Sequence, residues 1–300
     1  MTPIHRIVVA TDFSSPAGHA VLRAALTAKV LGAELHLLHV IYPLGLYPGP
    51  DIAAGGLSRE NSIIEVHART RLDELAAILH SHYRISTRVA TRIGRAHAEI
   101  ADYSRAAEAG LVVVGSRGEN FLLDRLLGST AARVLRMASC PVLVVKLQDE
   151  AYAYHDVIAA LDFSPASADA PALGRALAPE AKLELLHVYD EEIEKRMQEA
   201  KLGADFIADY RRRALAEAET RLDGLCDMLT GNVSREVVTG HPAAAICERI
   251  ALCRADLVVL GRHGKGWLQA WLLGSVAKKV VQAANCDVLL LPPAREESNP

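Results

Sequence analysis

Two loops of this 300-residue chain carry glycines at a spacing that chemistry can use. The first reads Gly115-Ser116-Arg117-Gly118, then nine residues, then Gly128-Ser129, with a helix expected from about Thr130. The second reads Gly261-Arg262-His263-Gly264, nine residues, then Gly274-Ser275. Glycines let backbone N–H groups approach a bulky anion, and a serine just before a helix places a hydroxyl where the helix dipole is positive. Seen alone, either loop reads as turn glycines with a capping serine; two copies at identical spacing favour a phosphate cradle. Arg117 and Arg125 in the first loop, and Arg262 and Lys265 in the second, can supply positive charge. Asp12 and its counterpart Asp162 need a separate argument. A bare carboxylate beside a triphosphate is repelled unless it faces the base or ribose, or a cation intervenes. A base or ribose contact is therefore expected, and capping of the helix that begins near Pro16 is the alternative; the two can coexist.

The elements that must position these residues come in two sets. Asp12-Phe13-Ser14 recurs as Asp162-Phe163-Ser164, Leu37-Leu38-His39-Val40 as Leu185-Leu186-His187-Val188, and Leu126-Leu127-Gly128-Ser129 as Leu272-Leu273-Gly274-Ser275, at offsets of 150, 148 and 146 residues. Collinear matches with a slow drift are the mark of a duplication, so two copies of one domain are expected, over 1–147 and 154–293. In the first copy, apolar runs at 7–10, 35–40, 86–90, 111–114 and 142–145 read as strands, with helices at 16–31, 58–80, 96–109 and 130–137 between them. Strands apolar on both faces belong in a parallel sheet covered on both sides. The expected fold is α/β, each copy a doubly wound five-stranded parallel sheet with helices on both faces. Ligands of such sheets sit outside the carboxyl ends of the strands, where the winding reverses, which points to the loops after strands one and four.

Composition removes other classes. Apolar residues make up 51% of the chain and charged residues 23%, which describes a packed globular protein. With 33 Lys+Arg against 36 Asp+Glu the net charge is -3, leaving no basic excess for a nucleic-acid backbone. The five cysteines, Cys140, Cys226, Cys247, Cys253 and Cys286, lack a C-x-x-C spacing and suggest neither a disulfide framework nor a zinc ribbon. No run approaches eighteen apolar residues and the start shows no signal-peptide pattern, so no membrane contact and a cytoplasmic location are expected. His36 and His39 fall on opposite faces of one strand and cannot share a metal, and His80 and His82 read as solvated; no metal site is expected. The run Arg211-Arg212-Arg213, in a helix with Glu217 and Glu219, reads as a solvated face with i, i+4 pairing. No G-x-x-x-x-G-K-S/T loop, nucleophile elbow or H-E-x-x-H occurs.

The spacing G-x2-G-x9-G-S/T after the fourth strand, with an aspartate closing the first, resembles the universal stress protein family, and the likeness covers nearly all of both halves. It implies a tandem member with Rossmann-like domains, whose glycine-motif subclass binds ATP, here with Mg2+. The implied contacts are Asp12 and Val40 near base and ribose, with Gly115, Arg117, Gly118, Gly128, Ser129 and Thr130 around the phosphates. In the second copy they are Asp162, Val188, Gly261, Arg262, Gly264, Gly274 and Ser275, with Val276 in place of the second hydroxyl. The reading is a stress or signalling protein whose nucleotide occupancy is the output, with at most slow hydrolysis or autophosphorylation, because no repeated acid or base besides Asp12/Asp162 is present. An interaction module with vestigial sites, or a slow ATP-using enzyme, is the alternative. The implied strand order 3-2-1-4-5 leaves apolar last strands, so the halves are expected to cover each other as an intramolecular pseudo-dimer, with a further homodimer open. The first copy is expected to bind more tightly, since Asp190, Glu191 and Glu192 follow Val188 whereas Ile41 and Tyr42 follow Val40.

Overall fold

The fold comes from a computed structural model that describes residues 3–42, 57–116, 127–146, 153–263 and 273–293. The chain forms two compact units that divide between residues 152 and 153. The first runs β1 (Arg6–Ala10), α1 (Ser15–Leu31), β2 (Glu34–Ile41), α2 (Leu57–Tyr83), β3 (Thr87–Ile93), α3 (Ala96–Ala106), β4 (Leu111–Gly115), α4 (Ser129–Met137) and β5 (Val142–Val145). Its described strands are parallel in the order β3-β2-β1-β4-β5, with Val8 opposite both His36 and Val112. Right-handed crossovers carry α1 and α2 to one face and α3 and α4 to the other, and these are the helix pairs that touch. The apolar strands follow from this double cover: Ile7, Val8, Val9, Leu111, Val112 and Val113 are fully buried, each such side chain contributing about 1.5–3 kcal/mol.

The second unit repeats the frame: β6 (Asp156–Leu161), α5 (Ala170–Leu177), β7 (Lys182–Asp190), α6 (Glu192–Glu199), α7 (Ala204–Asp227), β8 (Val233–Gly240), α8 (Pro242–Cys253), β9 (Leu257–Gly261), α9 (Ser275–Ala283) and β10 (Asp287–Leu291). Here the parallel order is β10-β9-β6-β7-β8. Helix α5 has 8 residues where α1 has 17. Two prolines explain the difference. Pro171 lacks an N–H and would clash with the carbonyl four residues back, so a helix cannot run through it from Pro165, and Pro179 stops the other end. The sequence-derived helix 96–109 ends earlier, at Ala106, because Glu108 takes the left-handed conformation (φ 49°) and the chain turns into β4. Gly110 sits in that turn, where a Cβ would meet the Ile4 backbone at 3.1 Å. The five cysteines are free thiols.

Candidate functional site

In each unit the winding reverses between the first and fourth strands, at β1/β4 and β6/β9, and the expected residues stand at those carboxyl ends. After β1 the Thr11 amide still donates to the Leu38 carbonyl (2.9 Å), and the chain then breaks from the sheet. Asp12 Oδ1 accepts from the Ser14 amide (3.0 Å) and the Ser14 hydroxyl, and it is Ser14 whose Oγ caps α1 by accepting from Ala17 N at 3.3 Å. The alternative of Asp12 as cap is thus displaced by two residues: the carboxylate holds the cap in place. Phe13 between them has a left-handed backbone, φ 63°. Its ring lies 4.6 Å from that of His39, whose Nδ1 donates to the Thr11 carbonyl at 2.8 Å, and the Arg71 guanidinium stands over the ring 4.1 Å from its centroid. Burial holds the His39 imidazole below its usual range, against the opposite pull of the Thr11 carbonyl and Asp12.

The second unit builds the same loop with one more donor. Asp162 Oδ1 accepts from Ser164 N (3.0 Å), Ser164 Oγ (2.6 Å) and Ser167 Oγ (2.7 Å). Burial pushes this carboxyl up, but the Ser164 and Ser167 donors outweigh it and the net shift is downward, so the group is ionised at neutral pH. Among the described residues these bonds converge on Oδ1, and Asp162 borders a cleft. Phe163 (φ 58°) stacks 4.5 Å from His187, whose Nδ1 donates to Leu161 O at 2.7 Å.

That cleft, about 460 Å³, lies at the carboxyl ends of β6, β7 and β9, and the expected Asp162, Val188, Gly261, Arg262, Gly274, Ser275 and Val276 all border it. The glycine loop differs from expectation in detail. Helices α4 and α9 begin at Ser129 and Ser275, their N-caps are Gly128 and Gly274, and no side chain caps either. The serines are therefore the first helical residues, not caps. The Gly128 amide donates to Ser116 O (2.9 Å) and the Gly274 amide to Arg262 O (3.0 Å), so these glycines close the loop. A Cβ on Gly274 would stand 3.0 Å from that same Arg262 oxygen, so close backbone approach is what demands glycine there. Donors for an anion are the first-turn amides of 129–131 and 275–277, the orphan groups of an uncapped helix. Arg262 is not an exposed loop cation: it is 2% exposed. Below the cleft it adds to burial in holding His263 under its usual pKa. Arg117, Gly118, Arg125, Gly264 and Lys265 lie outside the described residues. Val40 is the last residue but one of β2 and Gly115 ends β4, both half-buried, and Ser129 is exposed beside half-buried Thr130.

At the far end of the cleft, α6 and α7 set the surroundings of the acids that follow Val188. Asp190 Oδ1 accepts from Glu192 N (3.1 Å) and opens α6, Glu192 pairs with Lys195 (3.2 Å), and Glu194 is gripped by Arg211 of α7 at 2.5 and 2.8 Å. The acids after Val188 are thus largely engaged with protein, and Ile193, Tyr210 and Ala214 present apolar surface to the cleft. Acidity here no longer argues for a weaker second site. The arginine run is a solvated face at Arg212 and Arg213, which pair with Asp209, Arg213 at i, i+4 spacing, while Arg211 departs from it and crosses to the buried Glu194. Burial, then Glu194, pushes the Tyr189 phenol up to about 12, so it stays protonated. Phe163, His187 and Ser167 escaped sequence reasoning as site residues. The repeated D-F-S and L-L-H-V strings contained two of them, and only the fold shows that they meet.

His36 and His39 turn to different partners: His36 is buried against Tyr103 Oη and Glu34, both at 3.0 Å, and His39 reaches Thr11. Among the described residues no helix is long and apolar enough to cross a membrane.

Comparison with known proteins adds the family. A model described as the universal stress protein family matches residues 3–146 and 153–292. A universal stress protein of Mycolicibacterium smegmatis is 32% identical over 306 residues, covering 96% of this chain and 97% of its own. One of Mycobacterium tuberculosis is 28% identical over 302 residues, covering 95% of each. The crystal structure of a universal stress protein from Archaeoglobus fulgidus is similar in fold, with a TM-score of 0.69 at 22% identity over 97% of this chain and 99% of its own.

Proposed function

The chain belongs to the universal stress protein family, and from that premise we propose that each unit binds an adenine nucleotide, ATP with Mg2+, whose occupancy is the protein's output. One observation carries the reading: an ionised aspartate and an uncapped helix N-terminus border one cleft, at the winding reversal of a parallel sheet. Its volume of about 460 Å³ falls in the ordinary range for small-ligand sites, roughly 300–1,000 Å³. The first-turn amides of α9, with Ser275, take the phosphates; Asp162 Oδ2 accepts from ribose or base; Val188, Ile193 and Tyr210 take the base. In the first unit the same parts fall to Ser129, Thr130, Asp12 and Val40. Mg2+, a hard cation, is carried mainly by the phosphate oxygens. Domain boundaries at 147 and 154, a cytoplasmic site of action, and pairing of the two halves through their apolar last strands are parts of the same proposal.

Among the described residues bordering the cleft, Asp162 is held by three donors on Oδ1, and we infer slow turnover, with binding as the event that matters. The test is to denature the purified protein, identify released nucleotide, and measure the thermal shift with Mg-ATP, which a native-state ligand must raise. Released adenine nucleotide with a concentration-dependent shift supports the reading. No nucleotide and no shift at millimolar Mg-ATP supports an interaction module with vestigial sites.

A further inference from the structure

The same three-layer stack is built twice, once per unit, by residues that the proposed binding does not itself require. Its middle layer is Phe13 or Phe163, its inner layer His39 or His187, and its outer layer an arginine of the unit's longest helix: Arg71 of α2 at 4.1 Å, Arg221 of α7 at 5.2 Å. The copies agree closely. Ring centroids are 4.6 and 4.5 Å apart, tilted by 33° and 31°, and the histidine Nδ1 meets a strand-end carbonyl at 2.8 and 2.7 Å. A carbonyl only accepts, so Nδ1 carries the hydrogen in both, and the ring is locked in one tautomer and one orientation.

Three facts argue against mere filling. Both phenylalanines are only half-buried, so they are not core. Both adopt left-handed backbone, φ 63° and 58°, a region where a bulky side chain is strained and glycine is not. Glycine would serve if the loop only needed to turn. Third, each phenylalanine stands between the aspartate and the serine that are tied together, Asp12 with Ser14 and Asp162 with Ser164, so a wedged ring fixes where the carboxylate points. The stack persists although the units differ elsewhere, with Thr130 against Val276 and His36 against Glu184.

We propose that Phe13, His39 and Arg71, and likewise Phe163, His187 and Arg221, are positioning residues that aim the free oxygen of Asp12 and Asp162 at the nucleotide. The inference rests on the nucleotide-binding reading above. A strand-end carbonyl anchors the histidine, the histidine and the arginine clamp the phenyl ring, and the ring sets the turn that presents the carboxylate.

The test uses the full chain, Mg-ATP as probe, calorimetry for affinity, and thermal melting without ligand. Phe163→Gly relieves the backbone strain and removes the wedge. We expect its ligand-free melting point to stay within a few degrees of the parent while the second-unit affinity drops roughly tenfold to hundredfold, the range of a lost charged hydrogen bond. Asp162→Asn and the double variant complete a cycle. If the ring acts through the carboxylate, the double variant binds no more weakly than Asp162→Asn alone. Arg221→Gln, at a side chain 49% exposed, repeats the measurement should the glycine variant not fold, with an expected loss of several-fold. Unchanged affinity in whichever of these variants folds, or strictly additive losses in the cycle, overturns the positioning role. Absence of binding by the parent protein overturns the nucleotide reading, and this inference with it.

Discussion

Arg249→Met probes what holds α8, whose first turn borders the cleft through Pro242, against the sheet. Arg249 grips the Glu184 carboxylate of β7 with two bonds of 2.7 Å, the glutamate side chain being 6% exposed and the arginine 25%. Methionine keeps most of the apolar stem and removes the charge, leaving a buried carboxylate that must stay ionised in poor solvent or take a proton. The second route sets the ceiling: protonating an ordinary glutamate at pH 7 costs about 3.7 kcal/mol. Water entering past the shorter side chain lowers this, so a loss of about 2–3 kcal/mol is expected, at or just below the lower end of the roughly 3–5 kcal/mol for breaking a buried pair. That corresponds to a melting point lower by about 4–12 °C for a unit of this size. The sign of the pH dependence is fixed by the same argument. If the folded variant carries a proton that its unfolded chain releases, the deficit relative to the parent shrinks by about 1.4 kcal/mol per pH unit as the medium is acidified toward pH 4.3. Urea melts of parent and variant at pH 7, 6 and 5 measure it. Glu184→His with Arg249→Tyr, which copies the His36–Tyr103 pair of the first unit (3.0 Å), should recover much of the loss. A deficit under 1 kcal/mol, or one that acid does not reduce, refutes the buried-carboxylate reasoning.

Acid should weaken the parent protein below about pH 6.5, because burial holds His39, His97 and His263 under their usual pKa. The unfolded chain takes protons there that the folded chain refuses, so stability is present above that pH and lost on the way down; denaturant midpoints that are flat from pH 7.5 to 5.5 would contradict this. Arg211→Met frees Glu194 and should fray α6, whose 8 residues are too few to hold a helix alone. Faster amide exchange confined to 192–199, with weaker second-unit binding, is expected, and unchanged exchange refutes the tether. Gly274→Ala places a Cβ 3.0 Å from a backbone oxygen and should cost about 1–3 kcal/mol together with one calorimetric binding phase; a variant equal to the parent in both would show that the loop does not need close approach. Val276→Thr restores the hydroxyl of the first unit and should tighten second-unit binding by about twofold to tenfold, the worth of one neutral hydrogen bond, and no change would remove that hydroxyl from the account.

The elements of the first unit were legible because its strands are apolar on both faces and its helices fill the gaps between them; the bounds 142–145 coincide with β5. What failed was local. The end of α3 depends on Glu108 entering left-handed backbone, which no periodicity signals. Pro171, by contrast, shows in the sequence why α5 must start late. Glycine spacing pointed to loops of which the second borders the cleft, but not to the cap: a glycine N-cap shifts each serine to the first helical position and spends its own amide closing the loop. The acids after Val188 misled for a different reason: a row of charges does not say which way a short helix turns, and α6 directs Ile193 to the cleft while Glu194 faces Arg211.

The two units differ less at the nucleotide than the charge pattern suggests. With Asp190, Glu192 and Glu194 engaged by backbone or basic partners, the base end of the second cleft is not the repulsive surface its sequence implies. Each unit has uncapped first-turn amides and an aspartate tied to the serine two residues on, and backbone donors are indifferent to side-chain substitution. At the phosphate end the described residues differ in Thr130 against Val276, which is one hydroxyl, and in Ser116 against Arg262, a 2% exposed arginine that borders the second cleft. A single neutral hydrogen bond separates two dissociation constants by about tenfold at most. Sites that close in affinity fill over overlapping concentrations, which makes occupancy graded across roughly two decades of ligand rather than a sharp switch. If occupancy is the output, as proposed above, a duplicated frame with overlapping affinities widens the range of response without requiring the two sites to communicate.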